Sequence, residues 1–190
     1  MSDVIPPPPD ARTRILDAAE RVCQAKGVPA LTLEAAAKEA KVSKGGLLYH
    51  FASKEALLIG LLSRLADSIA LDFERVLATL PAGPARYTRA VLAWTFDHPE
   101  AVCQQHERAS GVFLAAFHQD PSLMDPIRKV VARIRDQLRE DALPPGHALA
   151  VMAACDGLFM ATLFGLYEQT LEERQALRTA LETLITEIRT

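Results

Sequence analysis

Apolar residues recur at every third or fourth position through nearly the whole chain of 190 residues. This spacing places them on one face of an α-helix, and we find no convincing run of alternating apolar and polar residues bounded by turn signals. The pattern therefore predicts an all-α protein. Its first helix carries an apolar face from Ile15 to Cys23 and should end at Gly27, which suits a C-terminal cap.

Three hydroxyl side chains mark the starts of the next helices. Thr32 and Ser43 are the expected N-caps of two short helices separated by a turn of a few residues, and Ser53 is the expected N-cap of a long fourth helix. The turn 81–84 should end that helix and is the best internal boundary. Beyond it the pattern predicts helices near 85–97, 100–118, 122–141, 146–168 and 171–189.

Composition narrows the class of protein. Apolar residues make up 49 % of the chain and charged residues 24 %, values that are typical of a folded globular protein. The three cysteines Cys23, Cys103 and Cys155 are widely spaced, which favours neither a disulfide framework nor a zinc cluster. Residues 1–10, with four consecutive prolines, predict an extended or disordered tail rather than a signal peptide. We expect a cytoplasmic protein.

Two adjacent glycines, Gly45 and Gly46, lie in the first turn of the predicted third helix. Each costs a helix about 1 kcal/mol relative to alanine, so their presence suggests that the surface there must be bare. A helix-turn-helix meets this condition, because the start of its second helix approaches DNA closely and offers backbone N–H groups to phosphate. Lys44 can bind guanine or phosphate. Further donors to phosphate follow at Tyr49, His50 and Lys54.

The distribution of charged residues is consistent with DNA contact by the N-terminal part of the chain. Residues 11–64 hold nine Lys or Arg against five Asp or Glu, although the whole chain has a net charge of −3. A basic excess favours contact with a polyanion.

The segment from Thr13 to Leu58, and above all V-S-K-G-G-L-L-Y-H-F-A-S-K-E-A-L-L, resembles the DNA-binding domain of TetR-type (tetracycline-repressor-like) bacterial transcriptional regulators. The resemblance covers about a quarter of the chain. It implies core positions for Leu47 and Phe51. It also implies DNA-contacting positions for Thr32, Ser43, Lys44, Gly45, Gly46, Tyr49, His50 and Lys54.

The resemblance also implies an architecture. The N-terminal helix-turn-helix domain would occupy residues 11–57, and an effector-binding and dimerisation domain would occupy residues 58–190. The family fold implies about nine helices, a dimer made by the last two, and a ligand cavity in the C-terminal domain.

Two positions depart from the family pattern. Lys41 stands in the turn where glycine is usual, and a left-handed backbone at lysine costs about 1 kcal/mol. Leu48 occupies a position that often carries a contact residue. Leucine cannot donate to phosphate, so we expect Leu48 either to touch a thymine methyl group or to face the core.

The segment from Ala148 to Tyr167 is apolar on nearly every side. Its length would allow a membrane span, but Asp156 lies near its centre and no basic flank adjoins it, so we predict no membrane contact. A helix that is apolar on all sides must be covered on all sides. We expect it to form a homodimer interface together with the last helix, and an intramolecular bundle is the alternative.

A stripe of polar and aromatic residues predicts a small-molecule site. It consists of Cys103, His106, Ser110, Phe113 and Phe117 on one helix, joined by Trp94, Met124, Phe159 and Met160 from its neighbours. The plain alternative is that these residues form part of the core. Cys103 and His106 lack the further ligands that a metal needs, so we predict no metal and no cofactor.

These features predict a homodimeric regulator that binds a pseudo-palindromic, double-stranded operator. The family resemblance favours a repressor that a small apolar or amphipathic ligand releases from DNA. One alternative is a helix-turn-helix protein without any effector. Another is a small all-α enzyme, but the sequence holds no catalytic constellation, and His50 has no nucleophile or carboxylate at informative spacing.

Overall fold

The computed structural model describes residues 10–97, 112–113, 116–117 and 120–186. These residues contain no β-strand, which confirms the all-α prediction. Short 3-10 turns lie at Val28–Ala30 and Pro121–Met124. The eight α-helices of the described residues are α1 (Ala11–Lys26), α2 (Leu33–Ala40), α3 (Lys44–His50), α4 (Lys54–Thr79), α5 (Arg86–Phe96), α6 (Asp125–Leu138), α7 (His147–Phe164) and α8 (Leu171–Thr186).

Side-chain caps set the helix starts where the sequence predicts them. The Thr32 hydroxyl accepts a hydrogen bond from the Ala35 N–H at 3.0 Å, and the Ser53 hydroxyl accepts one from the Ala56 N–H at 3.1 Å. Each bond satisfies an N–H group that has no partner within its helix. Gly27 ends α1 with a φ of 76°, as expected for a glycine cap.

Two predicted helices are shorter in the structure. The helix predicted over 122–141 begins only after the 3-10 turn and ends at Leu138. The helix predicted over 146–168 ends at Phe164, because Gly165 adopts a left-handed conformation with a φ of 58°. Gly165 therefore terminates the helix, and our prediction that the helix continues beyond it was wrong.

The last helix is described to Thr186. The helix predicted over 100–118 lies largely outside the described residues, except for the helical pairs 112–113 and 116–117.

Packing divides the chain into two compact units. Of the described residues, the first unit contains those up to 65 and those between 112 and 126, and the second contains those of 66–97 and 127–186. Helix α4 contributes to both. The domain limits at 57 and 58 stay a prediction.

The first unit places α1 against α2 and α3. An ion-pair cluster also joins α1 to α4, since the guanidinium of Arg64 lies 2.5 Å from the carboxylate of Asp17 and 2.5 Å from that of Glu20. The buried side chains of this unit include Ile15, Leu16, Leu31, Leu47, Phe51, Leu57 and Leu58.

The second unit places α5 against α7 and α8. The start of α5 is capped from a distant part of the chain, because the Asp141 carboxylate accepts hydrogen bonds from the N–H of Thr88 at 2.7 Å and from its hydroxyl at 2.6 Å. Thr88 is completely buried. At the other end of α5, the Arg174 guanidinium donates to the Thr95 carbonyl at 2.6 Å. Both ends of α5 are thus fixed by polar contacts within the unit.

Helix α7 is apolar on nearly every side, yet much of it is uncovered in the single chain. It is the one helix of the described residues that is long and apolar enough to cross a membrane, and 28 % of it is buried. Its exposed side chains include Leu149, Phe159 and Phe164. The core helix of a soluble protein can be equally long and apolar. What distinguishes α7 from such a helix is that most of its surface is uncovered in the single chain.

Candidate nucleic-acid interface

The turn between α2 and α3 is built on a left-handed lysine. Lys41 has a φ of 54° and a ψ of 42°, the conformation predicted for the position where glycine is usual. Its N–H donates to the carbonyl of Lys38 at 3.2 Å, and the N–H of Val42 donates to the carbonyl of Ala37 at 3.0 Å. These bonds close α2 and redirect the chain into α3 within three residues.

The start of α3 is bare, as the two glycines predict. The Ser43 hydroxyl accepts a hydrogen bond from the Gly46 N–H at 3.0 Å, which fixes the first turn. Gly45 and Gly46 are both exposed. A Cβ on Gly45 would meet none of the described atoms outside its own helix turn and neighbours within 4 Å. No packing requirement inside the described protein therefore explains this glycine.

The opposite face of α3 is anchored in the core. Leu47 is fully buried and Phe51 is 3 % exposed, which confirms their predicted core positions. The ring of Phe51 fits over Gly60 of α4, where a Cβ would lie 2.7 Å from Cε1 of the ring. The glycine makes room for the aromatic ring that holds the end of α3.

Three predicted donor groups lie at the end of α3 and the start of α4, and they differ in exposure. Tyr49 is 87 % exposed, and its ring meets the ring of His50 edge-on at 5.1 Å between centroids. His50 and Lys54 are half-buried. Leu48 is 38 % exposed, so it does not join the core fully and offers an apolar surface beside the donors. All four positions stay predictions as DNA contacts.

Lys44 forms an ion pair across the helix-turn-helix. Its Nζ lies 2.6 Å from Oε1 of Glu34, a residue in the first turn of α2. Both side chains are exposed. The hydrogen bond from Lys44 holds the pKa of Glu34 below its ordinary value. The lysine predicted to contact DNA is therefore already engaged by a carboxylate in the free protein.

Sequence reasoning missed two residues beside this surface. Glu34 was not predicted, because its partner Lys44 lies on another helix and only the turn geometry brings them together. Arg12 was also missed. Its guanidinium lies 5.4 Å from the centroid of the Phe51 ring at the end of α3, and its side chain is exposed. The sequence signal that could have identified Arg12 is the presence of an arginine in the first turn of α1.

The predicted small-molecule site stays a prediction. Cys103, His106 and Ser110 lie outside the described residues. Phe113, Phe117 and the buried Met124 belong to the first unit. In the second unit, Trp94 packs edge-on against Phe73 with 6.3 Å between ring centroids, Met160 is half-buried, and Phe159 is 43 % exposed.

Outside this interface, two features of the described part of the chain bear on metal and ligand binding. No group of three or more His, Cys, Asp or Glu residues there is placed to hold a metal ion. A surface depression of about 750 Å³ is lined by residues of α8 alone, from Leu171 to Ala180, and it is open to solvent.

The geometry defines a class of protein. Two short capped helices joined by a tight turn, the second with a bare and exposed first turn, form a helix-turn-helix of the kind that binds the major groove of DNA. Residues 15–61 match the family of bacterial regulatory proteins called tetR, and residues 85–186 match the tetracyclin repressor-like C-terminal domain. The chain belongs to the TetR family of transcriptional regulators.

Individual relatives agree with this assignment. The chain is 39 % identical over 64 residues to TtgW, an uncharacterised HTH-type transcriptional regulator of Pseudomonas putida. That match covers 34 % of this chain and 48 % of TtgW. The chain is also 30 % identical over 80 residues to the HTH-type transcriptional regulator EthR of Mycolicibacterium smegmatis. This second match covers 42 % of this chain and 37 % of EthR. The matched segments thus span less than half of either curated relative.

A solved structure matches over a longer range. The multidrug binding protein EbrR, crystallised with malachite green, is 28 % identical and superposes with a TM-score of 0.67. The match covers 93 % of this chain and 99 % of that one. The likeness therefore extends through both the helix-turn-helix and the C-terminal helices.

Proposed function

We propose that the protein is a cytoplasmic repressor that binds operator DNA as a homodimer and leaves it when a small molecule binds the C-terminal helices. The observation that carries DNA binding is the exposed first turn of α3, fixed by the Ser43 cap and free of side chains at Gly45 and Gly46. A helix start of this kind presents unpaired N–H groups and a positive dipole end to phosphate.

Side chains around that turn supply the remaining contacts. Lys44 reaches a guanine edge or a phosphate, and Tyr49 and His50 donate to phosphates further along the backbone. The exposed part of Leu48 faces a thymine methyl group. The Thr32 hydroxyl and the Lys54 ammonium flank this surface and complete the predicted contact set.

Dimerisation follows from surface that a single chain leaves uncovered. Phe159 is 43 % exposed and Phe164 55 % exposed on α7, and Leu171 at the start of α8 is 87 % exposed. Large apolar side chains grouped on two neighbouring helices favour association. A second copy placed by a two-fold axis covers both helices in both chains and presents two α3 helices to a pseudo-palindromic site.

The effector is proposed from the relative of known structure. EbrR is a multidrug binding protein that has been crystallised with malachite green and with ethidium. We propose a small aromatic or amphipathic ligand for this chain, held by the predicted residues of the second unit, which include Trp94 and Phe159. A ligand releases DNA only if it binds the released arrangement of the dimer more tightly than the DNA-bound one.

DNA selection from a random duplex pool tests the first half of the proposal. The purified full-length protein should enrich a two-fold symmetric sequence, and its mass in solution should be that of two chains. Enrichment of no duplex sequence would overturn the proposed function.

Titration of the selected duplex tests the second half. Malachite green should lower operator affinity at concentrations where it binds the protein and does not bind the operator duplex alone. A dye that binds the protein and leaves DNA affinity unchanged would favour a regulator without an effector.

A further inference from the structure

We infer that Glu34 limits the affinity of the DNA-binding surface by competing with DNA for Lys44. The inference rests on the proposed function, because it concerns the same surface and adds a residue that opposes binding. It assigns to α2 a regulating role that neither the glycine pattern nor the family likeness indicates.

Glu34, the proposed competitor, lies in direct contact with Lys44, the residue predicted to contact DNA. Oε1 of Glu34 lies 2.6 Å from Nζ of Lys44, and Lys44 is the first residue of α3. The carboxylate also lies in the first turn of α2, where a helix start stabilises negative charge. In the described structure, therefore, the ammonium at the start of α3 is paired with a carboxylate.

Binding to DNA affects the stability of the ion pair between Lys44 and Glu34. When Lys44 turns to a phosphate or a guanine, its bond to Glu34 is weakened or lost. Both side chains are more than half exposed, with 62 % for Lys44 and 65 % for Glu34, so the pair is screened by water and its loss is a modest cost. The resulting effect is a tuning of affinity, not a switch.

Glu34→Gln tests the inference. The substitution keeps the size of the side chain and removes its charge, so Lys44 becomes free to pair with DNA. We expect about two- to fivefold tighter operator binding per protomer, as the loss of an exposed ion pair predicts. The slope of log affinity against log salt should stay near that of wild type, because Lys44 neutralises a phosphate in both proteins.

Two further variants test whether the effect of Glu34→Gln on operator affinity depends on the pairing of Glu34 with Lys44. Glu39→Gln removes the same charge from the same helix, but Glu39 pairs with Arg21 of α1 at 2.8 Å, so operator affinity should stay near wild type. Glu34→Gln placed on a Lys44→Gln background should have little effect, since the competition requires the lysine. Both results together support the inference.

The results that would overturn this inference differ from the results that would overturn the proposed function. If wild-type protein selects no operator, the proposed function fails. If wild-type protein binds its operator and Glu34→Gln leaves affinity unchanged or lowers it, the competition inference is overturned. An equal gain with and without Lys44 also overturns it, because the carboxylate would then act on DNA directly.

Discussion

Cε1 of Phe51 lies 2.7 Å from the position that a Cβ on Gly60 would occupy. The same Cβ would lie 3.1 Å from Cδ2 of Leu16, so α4 has no room for a side chain at this point. Phe51 directly follows α3, and Leu16 lies on α1. Gly60 therefore sets how closely α4 packs against α1 and against the end of α3.

Gly60→Ala should destabilise the protein by about 1–3 kcal/mol, because a rigid buried ring must move to admit a methyl group. The measurement is the midpoint of urea unfolding followed by circular dichroism. Gly83→Ala is the matched control, since a Cβ there would meet none of the described atoms within 4 Å. Equal midpoints for the two variants would contradict the packing argument.

Gly45→Ala should separate stability from DNA binding. The methyl group has room within the described protein and improves helix propensity, so the free energy of unfolding should rise by up to about 1 kcal/mol. Operator affinity should fall at the same time, because the backbone can no longer approach DNA as closely. Urea unfolding and DNA titration measure the two effects. Unchanged operator affinity would show that the bare surface is not used.

Lys44→Gln should weaken operator binding and reduce the slope of log affinity against log salt by about one per protomer, as expected for a lost phosphate contact. Fluorescence anisotropy with labelled operator at several salt concentrations measures both quantities. Lys129→Gln removes the same charge from an exposed position on α6 and should leave the slope unchanged. A loss of affinity confined to one operator sequence would instead indicate that Lys44 reads a base.

Cys23 should make stability depend on pH in alkaline solution. Burial, together with the nearby carboxylate of Glu20, raises the pKa of this thiol from 9.0 to about 11. Between these values the unfolded chain binds fewer protons than the folded one, so stability is complete below about pH 9 and falls as the pH rises towards 11.

The expected contribution of Cys23 is about 2 kcal/mol over that range. Urea unfolding at pH 8 and at about pH 10.5 measures it, and Cys23→Ala should remove this part of the difference. A variant with the same pH dependence as wild type would contradict the assignment. The neutral thiol should also react slowly with thiol reagents at about pH 8.

Helix starts were predictable from sequence because a cap is a local interaction. Ser43 and Ser53 each lie three residues before the N–H that they accept from, so the residue type alone indicates the bond. Helix ends were less predictable. Apolar periodicity continues through Gly165 and beyond it, but the left-handed backbone at that residue ends α7.

Contacts between helices were the part that sequence could not supply. Gly60 was not singled out, since its role depends on a ring nine residues earlier that folds back onto α4. The pairing of Glu34 with Lys44 depends on the angle between α2 and α3. By contrast, the exposed positions of Gly45 and Tyr49 followed from the phase of α3, because the buried Leu47 fixes which side of a short helix faces inward.

The turn at Lys41 links two properties that substitution by glycine changes together. Glycine at this position would relax a backbone held at a φ of 54°, but it would also delete a cation. The mirror-image amino acid separates them, because D-lysine favours positive φ and retains the ammonium group. A chain assembled by chemical ligation with D-lysine at position 41 should therefore be more stable by about 1 kcal/mol at unchanged charge.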